Sequence, residues 1–307
     1  MRIKPIIFAL ALAGFGFSGL AMAQNPDAPV TSSAELNALT KQIEGARKAH
    51  AAEFAAVKQL REEMPELDAR KRGRIAPVGT TLDLLGPNAV WALMDDLIQD
   101  KPFANQRPSV RQGWRIGVLH ALGRLRNPIA RPVLERVVSQ ESDTWVLRTA
   151  AEALGKLQDQ EAAEFLIKAS AGEGARAEAV LEGMAHCRRL VVTEYLVGRL
   201  EQAKADSEKR ALVESLRDHG NAWAWKTDVV AASGEGEQVR NLSAAALIRT
   251  YAKEPQLQKE LRKAILIVNS SESVALVQAE ISKAAPAAKA SLEDLLKALA
   301  SNPLHKR

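Results

Sequence analysis

The chain has 307 residues, 47% hydrophobic and 26% charged, a composition that excludes a disordered tail or a collagen-like rod. Aromatic residues are only 4%, which argues against a β-sandwich and for helices with a small-residue interior. A formal charge of +5 would suggest nucleic acid as a partner, but Arg2 and Lys4 supply two of those charges and sit in a targeting segment, so no nucleic acid is expected.

Residues 1–23 read as a secretory signal peptide. Arg2 and Lys4 form a basic start, Ile6–Ala13 an apolar stretch, and Ala21-Met22-Ala23 a small-residue site. Cleavage is expected between Ala23 and Gln24, which predicts a periplasmic or secreted protein with no stable membrane insertion afterwards. Residues 24–33 read as a linker. Cys187 is the single cysteine, so no disulfide can form within the chain and stability must come from burial.

A long helix is predicted from Ser33 to about Met64, within a 24–75 segment of linker and helix. Leu36, Leu39, Ile43, Ala46, Val57, Leu60 and Met64 keep a 3,4 spacing, interrupted by His50 and Glu53. This stripe can lie on the end of the main body, or it can pair two chains as a homodimer through residues 34–64. The polar gap favours the first. Pro65 is expected to break the helix, and Arg70-Lys71-Arg72-Gly73-Arg74 to form a solvated basic loop, with contact to an anionic envelope surface as the alternative.

From residue 76 to 301 the pattern is one of helix pairs, followed by a polar tail at 302–307. Apolar stripes begin at Trp114, Leu147 and Ala177, 33 and 30 residues apart. Ala121-Leu122-Gly123-Arg124-Leu125 returns as Ala153-Leu154-Gly155-Lys156-Leu157, and Ala163-Glu164-Phe165-Leu166 as Thr193-Glu194-Tyr195-Leu196. Gly172-Glu173-Gly174 returns as Gly234-Glu235-Gly236, 62 residues on, which reads as two periods.

Leu147-Arg148-Thr149-Ala150-Ala151-Glu152-Ala153-Leu154-Gly155 resembles the first helix of a HEAT repeat of the short bacterial, lyase-associated type. Gln158-Asp159 supplies its turn. Trp114–Leu134 and Val239–Leu247 are looser matches. The resemblance implies an all-α fold, an α-α superhelix or HEAT-like solenoid preceded by the long N-terminal helix. It also implies that the Val-Arg helices line a concave side. Arg148, Glu152, Glu178, Glu182 and Arg240 are the partner-binding residues it suggests. Residues 203–232 depart from the pattern. There Trp223 and Trp225 either fill a distorted core or offer an aromatic contact to a partner. Trp114 and Trp145 read as packing.

Chemistry is sparse. The five histidines, His50, His120, His186, His219 and His305, have no metal-ligand spacing, and no His-Glu dipeptide occurs, so neither a metal nor a cofactor is expected. No Gly-x-Ser-x-Gly elbow and no phosphate loop is present. Asp95-Asp96 and Glu62-Glu63 read as solvated faces, and the Gly-Glu-Gly segments as turns. The expectation is a non-catalytic protein-binding scaffold of the bacterial cell envelope, its protein partner unspecified. The alternatives are a lyase-like enzyme accessory, which an export signal opposes, and a module that dimerises through residues 34–64.

Overall fold

The computed structural model describes residues 33–71, 74, 76–103 and 105–302. The signal segment, the cleavage pair Ala23 and Gln24, the start of the linker and all of the polar tail but Asn302 lie outside the described residues. So do Arg72 and Gly73 of the basic run; its described members, Arg70, Lys71 and Arg74, are exposed. Among the described residues there are sixteen α-helices, four short 3-10 turns and no strand.

The N-terminal stripe folds as two helices. The first, α1 (Ser33–Ala49), and the second, α2 (Ala51–Arg70), meet at His50, whose φ of −120° and ψ of 36° break the helical path. The break falls at the polar gap in the apolar stripe. Pro65 does not end α2, which runs five residues past it; a proline can sit inside a helix at the cost of one backbone hydrogen bond. The seam faces the body: Leu39, Ile43, Val57 and Met64 are buried, with α1 against α4 and α6 and α2 against α4 and α5. Arg61 secures α2, its Nε lying 3.1 Å from Asp96 and its guanidinium stacking 4.0 Å from the centre of the Phe103 ring. Asp96 also accepts from Trp114 Nε1 at 2.7 Å, and Asp95 pairs with Arg47 at 2.6 Å. The two aspartates are therefore docking groups for the N-terminal helices rather than a solvated face.

The remaining helices alternate between two layers. The first layer holds α3 (Val78–Asp83), α5 (Pro108–Leu125), α7 (Thr144–Gly155), α9 (Ala175–Met184), α11 (Asp206–His219), α14 (Gln258–Val268) and α16 (Pro286–Ala300). Behind it lie α4 (Val90–Gln99), α6 (Arg131–Gln140), α8 (Gln160–Ala169), α10 (Leu190–Gln202), α13 (Gly236–Lys253) and α15 (Ser273–Lys283). A one-turn helix, α12 (Asp228–Ala231), sits in the turn between α11 and α13. Helices stack along each layer, so one hydrophobic core runs continuously from Leu39 to Leu299. A lone pair could not bury its own stripe; stacking supplies the missing cover. Local signals set the ends: Asp143 accepts from the backbone N–H of Trp145 and Val146 at the start of α7, and Asp159 from Ala162 at the start of α8.

The first layer is packed through small residues. A Cβ on Gly183 would stand 2.5 Å from the Arg148 carbonyl oxygen and 2.6 Å from Ala151 Cβ. Gly123 rests on Ala153, Gly155 on Cys187, and Gly117 on Val78 in the same way. Backbones touch where a side chain would otherwise hold them apart.

The 15 residues from Asn221 to Glu235 interrupt the rhythm without breaking the layers. Ala222 N–H donates to the Ile267 carbonyl, and Gly220 packs on Val268, so α14 follows α11 in the first layer. Arg249 of α13 reaches Glu201 of α10 at 3.2 Å, so α13 follows α10 in the second. The Gly-Glu-Gly match at 62 residues is thus a false phase: Gly174 leads into a first-layer helix and Gly236 into a second-layer one. Both are turns, as read from sequence, and Glu235 does more: its carboxylate takes Arg189 Nε at 3.0 Å, Arg189 Nη2 at 3.1 Å and the Leu190 N–H at 2.9 Å. It pins the start of α10 to the start of α13.

Candidate functional site

Three neighbouring first-layer helices, α7, α9 and α11, frame a groove of about 630 Å³. Their apolar stripes turn into the core, which leaves the opposite stripe of each helix on the outer surface of the first layer. Arg148 and Glu152 come from α7, Glu182 and Gly183 from α9, His186 from the turn after it, and Arg210, Glu214 and Asp218 from successive turns of α11. The glycine contact between α7 and α9 brings the first two of these rows together.

Arg148 pairs with Glu182 at 3.1 Å across the two helices, and both remain about half exposed. An exposed pair of this kind adds little stability and leaves both groups open to a ligand. Deeper in the groove, Glu152 accepts from Lys156 Nζ at 2.5 Å and faces His186 Nε2 at 3.8 Å. Burial acts to raise the Glu152 carboxyl; His186 and Lys156 beside it outweigh this and hold it below the usual range. His186 is pushed down to about 4, chiefly by burial, with Glu152 opposing, so its ring is neutral at pH 7. The lining carries four carboxylates, Glu152, Glu182, Glu214 and Asp218, against the two guanidiniums of Arg148 and Arg210.

Of the residues singled out from sequence, the groove gathers Arg148, Glu152 and Glu182. Glu178 is exposed but lies outside it. Arg240 is a correction: it stands on α13, a second-layer helix, and so lies outside the groove that Arg148, Glu152 and Glu182 line. Its Nε donates to the Val268 carbonyl at 3.0 Å and its Nη2 to that of Asn269, satisfying the open carboxyl end of α14. Trp225 is a second correction. It is 8% exposed and forms a small core of its own with Val230 and Val239, its indole N–H donating to the His219 carbonyl at 3.0 Å. Trp223 stays 48% exposed under Lys226, whose Nζ is 4.4 Å from the ring centre. Trp114 is buried as read, whereas Trp145 is 53% exposed, because it stands at the first turn of α7 beyond the neighbouring helices.

Sequence reasoning missed His186 and the whole α11 contribution. Arg210, Glu214 and Asp218 keep an i, i+4 spacing, the signal of a polar stripe on one helix face. It was legible, but α11 lacks the repeat motif that marked the other helices. Among the described residues no three His, Cys, Asp or Glu side chains are grouped so as to hold a metal ion, and no helix is long and apolar enough to cross a membrane.

No curated protein matches the chain significantly. Residues 110–185, which run from α5 through α9 and carry two of the three groove helices, match the family model for HEAT repeats. That match and the stacked two-helix layers together support a HEAT-repeat protein, a helical repeat scaffold able to mediate protein interaction.

Proposed function

We propose that this chain is a non-catalytic scaffold of the bacterial cell envelope that binds a protein partner in the groove of α7, α9 and α11. The signal-like pattern of residues 1–23 supports the location. The groove itself carries the binding reading: charged side chains from three consecutive first-layer helices line it, with a backbone-tight seam between α7 and α9 behind them. Lys156 and Arg217, just outside the lining, already hold Glu152 and Asp218, so the groove suits a partner segment of mixed charge whose cations reach Glu182 and Glu214. The Glu152–His186 separation of 3.8 Å, with Lys156 already on the carboxylate, supports a recognition surface over proton-transfer chemistry.

The burial of Leu39, Ile43, Val57 and Met64 against α4, α5 and α6 favours this reading over a homodimer through residues 34–64. The test is crosslinking from native periplasm with wild-type protein, E182K/E214K in the groove and E178K outside it. Capture should survive E178K and fall at least about tenfold in E182K/E214K, the loss of two charge-assisted contacts. Equal capture by all three would show that the groove is not the binding surface.

A further inference from the structure

Trp145, read from sequence as packing, is more than half exposed at the first turn of α7. Among the described residues no ring or cation rests on its indole, whereas Lys226 already lies over Trp223. The side chain lines a recess of about 420 Å³, whose other walls are Gln112 of α5 and Ser142, Asp143 and Thr144 at the start of α7. All four are polar, so the recess offers one aromatic surface in a hydrophilic setting.

The charge beside the indole is negative. The Asp143 carboxylate accepts from Gln112 Nε2 at 2.6 Å and from the backbone N–H of Trp145 and Val146 at 2.9 and 3.1 Å. All three donors are neutral, and among the described residues no Lys, Arg or His nitrogen pairs with Asp143. The neighbouring cations are spent elsewhere. Arg115 holds Asp100 and Glu141, Arg176 donates to the carbonyl oxygens of Val138, Ser139 and Glu141, and Arg148 pairs with Glu182. The Glu141 carboxylate is spent too, on Arg115 and on the backbone N–H of Ser142 and Asp143. The amino end of α7 offsets part of the Asp143 charge. A cation that also stacks on the indole therefore gains more here than a point charge does.

We propose that this recess binds an arginine side chain, its guanidinium stacked on the Trp145 indole and its N–H edge on the Asp143 carboxylate. A planar guanidinium does both at once; an ammonium can approach the ring but has no face to lay on it. An anion would be repelled by Asp143, and a purely apolar side chain would strip water from Gln112, Ser142 and Thr144 without replacing it. The recess adjoins the groove, because Trp145, Arg148 and Glu152 keep an i, i+3, i+7 spacing along one stripe of α7. That the arginine belongs to the partner held in the groove rests on the function proposed for the groove; that the recess takes a guanidinium does not.

The experiment titrates the full chain with N-acetyl-arginine amide, N-acetyl-lysine amide and N-acetyl-citrulline amide at matched ionic strength and pH 7. The indole N–H resonances of the five tryptophans are followed by NMR, with that of Trp145 identified as the one absent from W145L. Arginine amide should shift the Trp145 resonance saturably. Lysine amide should bind at least about threefold more weakly, and the neutral citrulline amide should leave the resonance in place. D143N should weaken arginine amide at least about fivefold. Asparagine starts a helix as well as aspartate does, so the variant keeps α7, and a merely structural Asp143 would leave its titration unchanged. Should D143N fail to fold, the arginine–citrulline contrast in the wild type decides alone. No arginine response, an undiminished one in D143N, or citrulline binding as tight as arginine would overturn the site; lysine binding as tight would overturn the assigned side chain. Capture from native periplasm separates this site from the groove. Loss of capture in E182K/E214K with no arginine response keeps the groove and removes the recess, whereas an arginine response with undiminished capture keeps the recess and removes the groove.

Discussion

Gly183→Ala should destabilise the protein although alanine is the better helix former. The added Cβ would stand 2.5 Å from the Arg148 oxygen, 2.6 Å from Ala151 Cβ and 2.8 Å from the Glu152 nitrogen. None of these atoms is the free end of a flexible side chain, so relief requires α7 and α9 to part by roughly 0.9 Å in a close-packed layer. Overpacking costs about 1–3 kcal/mol, and three simultaneous contacts argue for the upper end. Helix propensity returns about 1 kcal/mol. The net loss is about 2 kcal/mol, or roughly 3 °C in melting temperature for a chain of this size. Gly198 in α10 is the matched control, because its Cβ would meet nothing within 4 Å. Gly198→Ala should gain about 0.5–1 kcal/mol. Differential scanning calorimetry on both variants reads the contrast directly. If Gly183→Ala melts at or above the wild type, the tight seam between α7 and α9 is wrong, and the groove they frame is wrong with it.

Two further outcomes follow from buried titratable groups. His219 is fully buried, its ring nitrogens 3.3 Å from the Ala185 oxygen and 3.2 Å from that of Arg189, and burial pushes it down to about 3. The unfolded chain takes up this proton near pH 6.5 and the folded chain does not, so acidification from pH 6.5 towards 5 should lower stability. His186, down to about 4, adds in the same direction. His219→Gln should flatten the dependence of melting temperature on pH in that window; an unchanged slope would show that His219 is not a source of it. Cys187 is buried and its thiol is pushed up to about 12, mainly by burial. It should resist a thiol reagent such as Ellman's in native buffer and react once the protein is denatured; rapid native reaction would mean that the layer around Gly155 opens readily.

The repeat architecture was legible because stacking leaves a periodic trace. The stripes at Trp114, Leu147 and Ala177 are the buried faces of α5, α7 and α9, and Arg148, Glu152 and Glu182 follow from them as the opposite faces. The errors come where period and layer part company. Residues 221–235 add about half a repeat to one turn, so counting forward in steps of about 31 lands Val239 and Arg240 on the wrong side of the molecule. Tryptophan identity alone could not separate Trp225, sheltered by its own cluster, from Trp223 two residues earlier in an irregular segment. The break at His50 was visible as a polar gap, but that both halves would dock on α4, and α2 also on α5, depends on Asp95, Asp96 and Gly113, which are distant in sequence.

The glycine seam also stiffens the protein. Along α3, α5, α7 and α9 the backbones are already in contact, so this face has almost no room left to compress. Bending that compresses the first layer meets a hard stop, and bending that spreads it must part the same tight seams. The face between α7 and α9 therefore resists deformation in both directions, and a partner is gripped by the long charged side chains that stand on it.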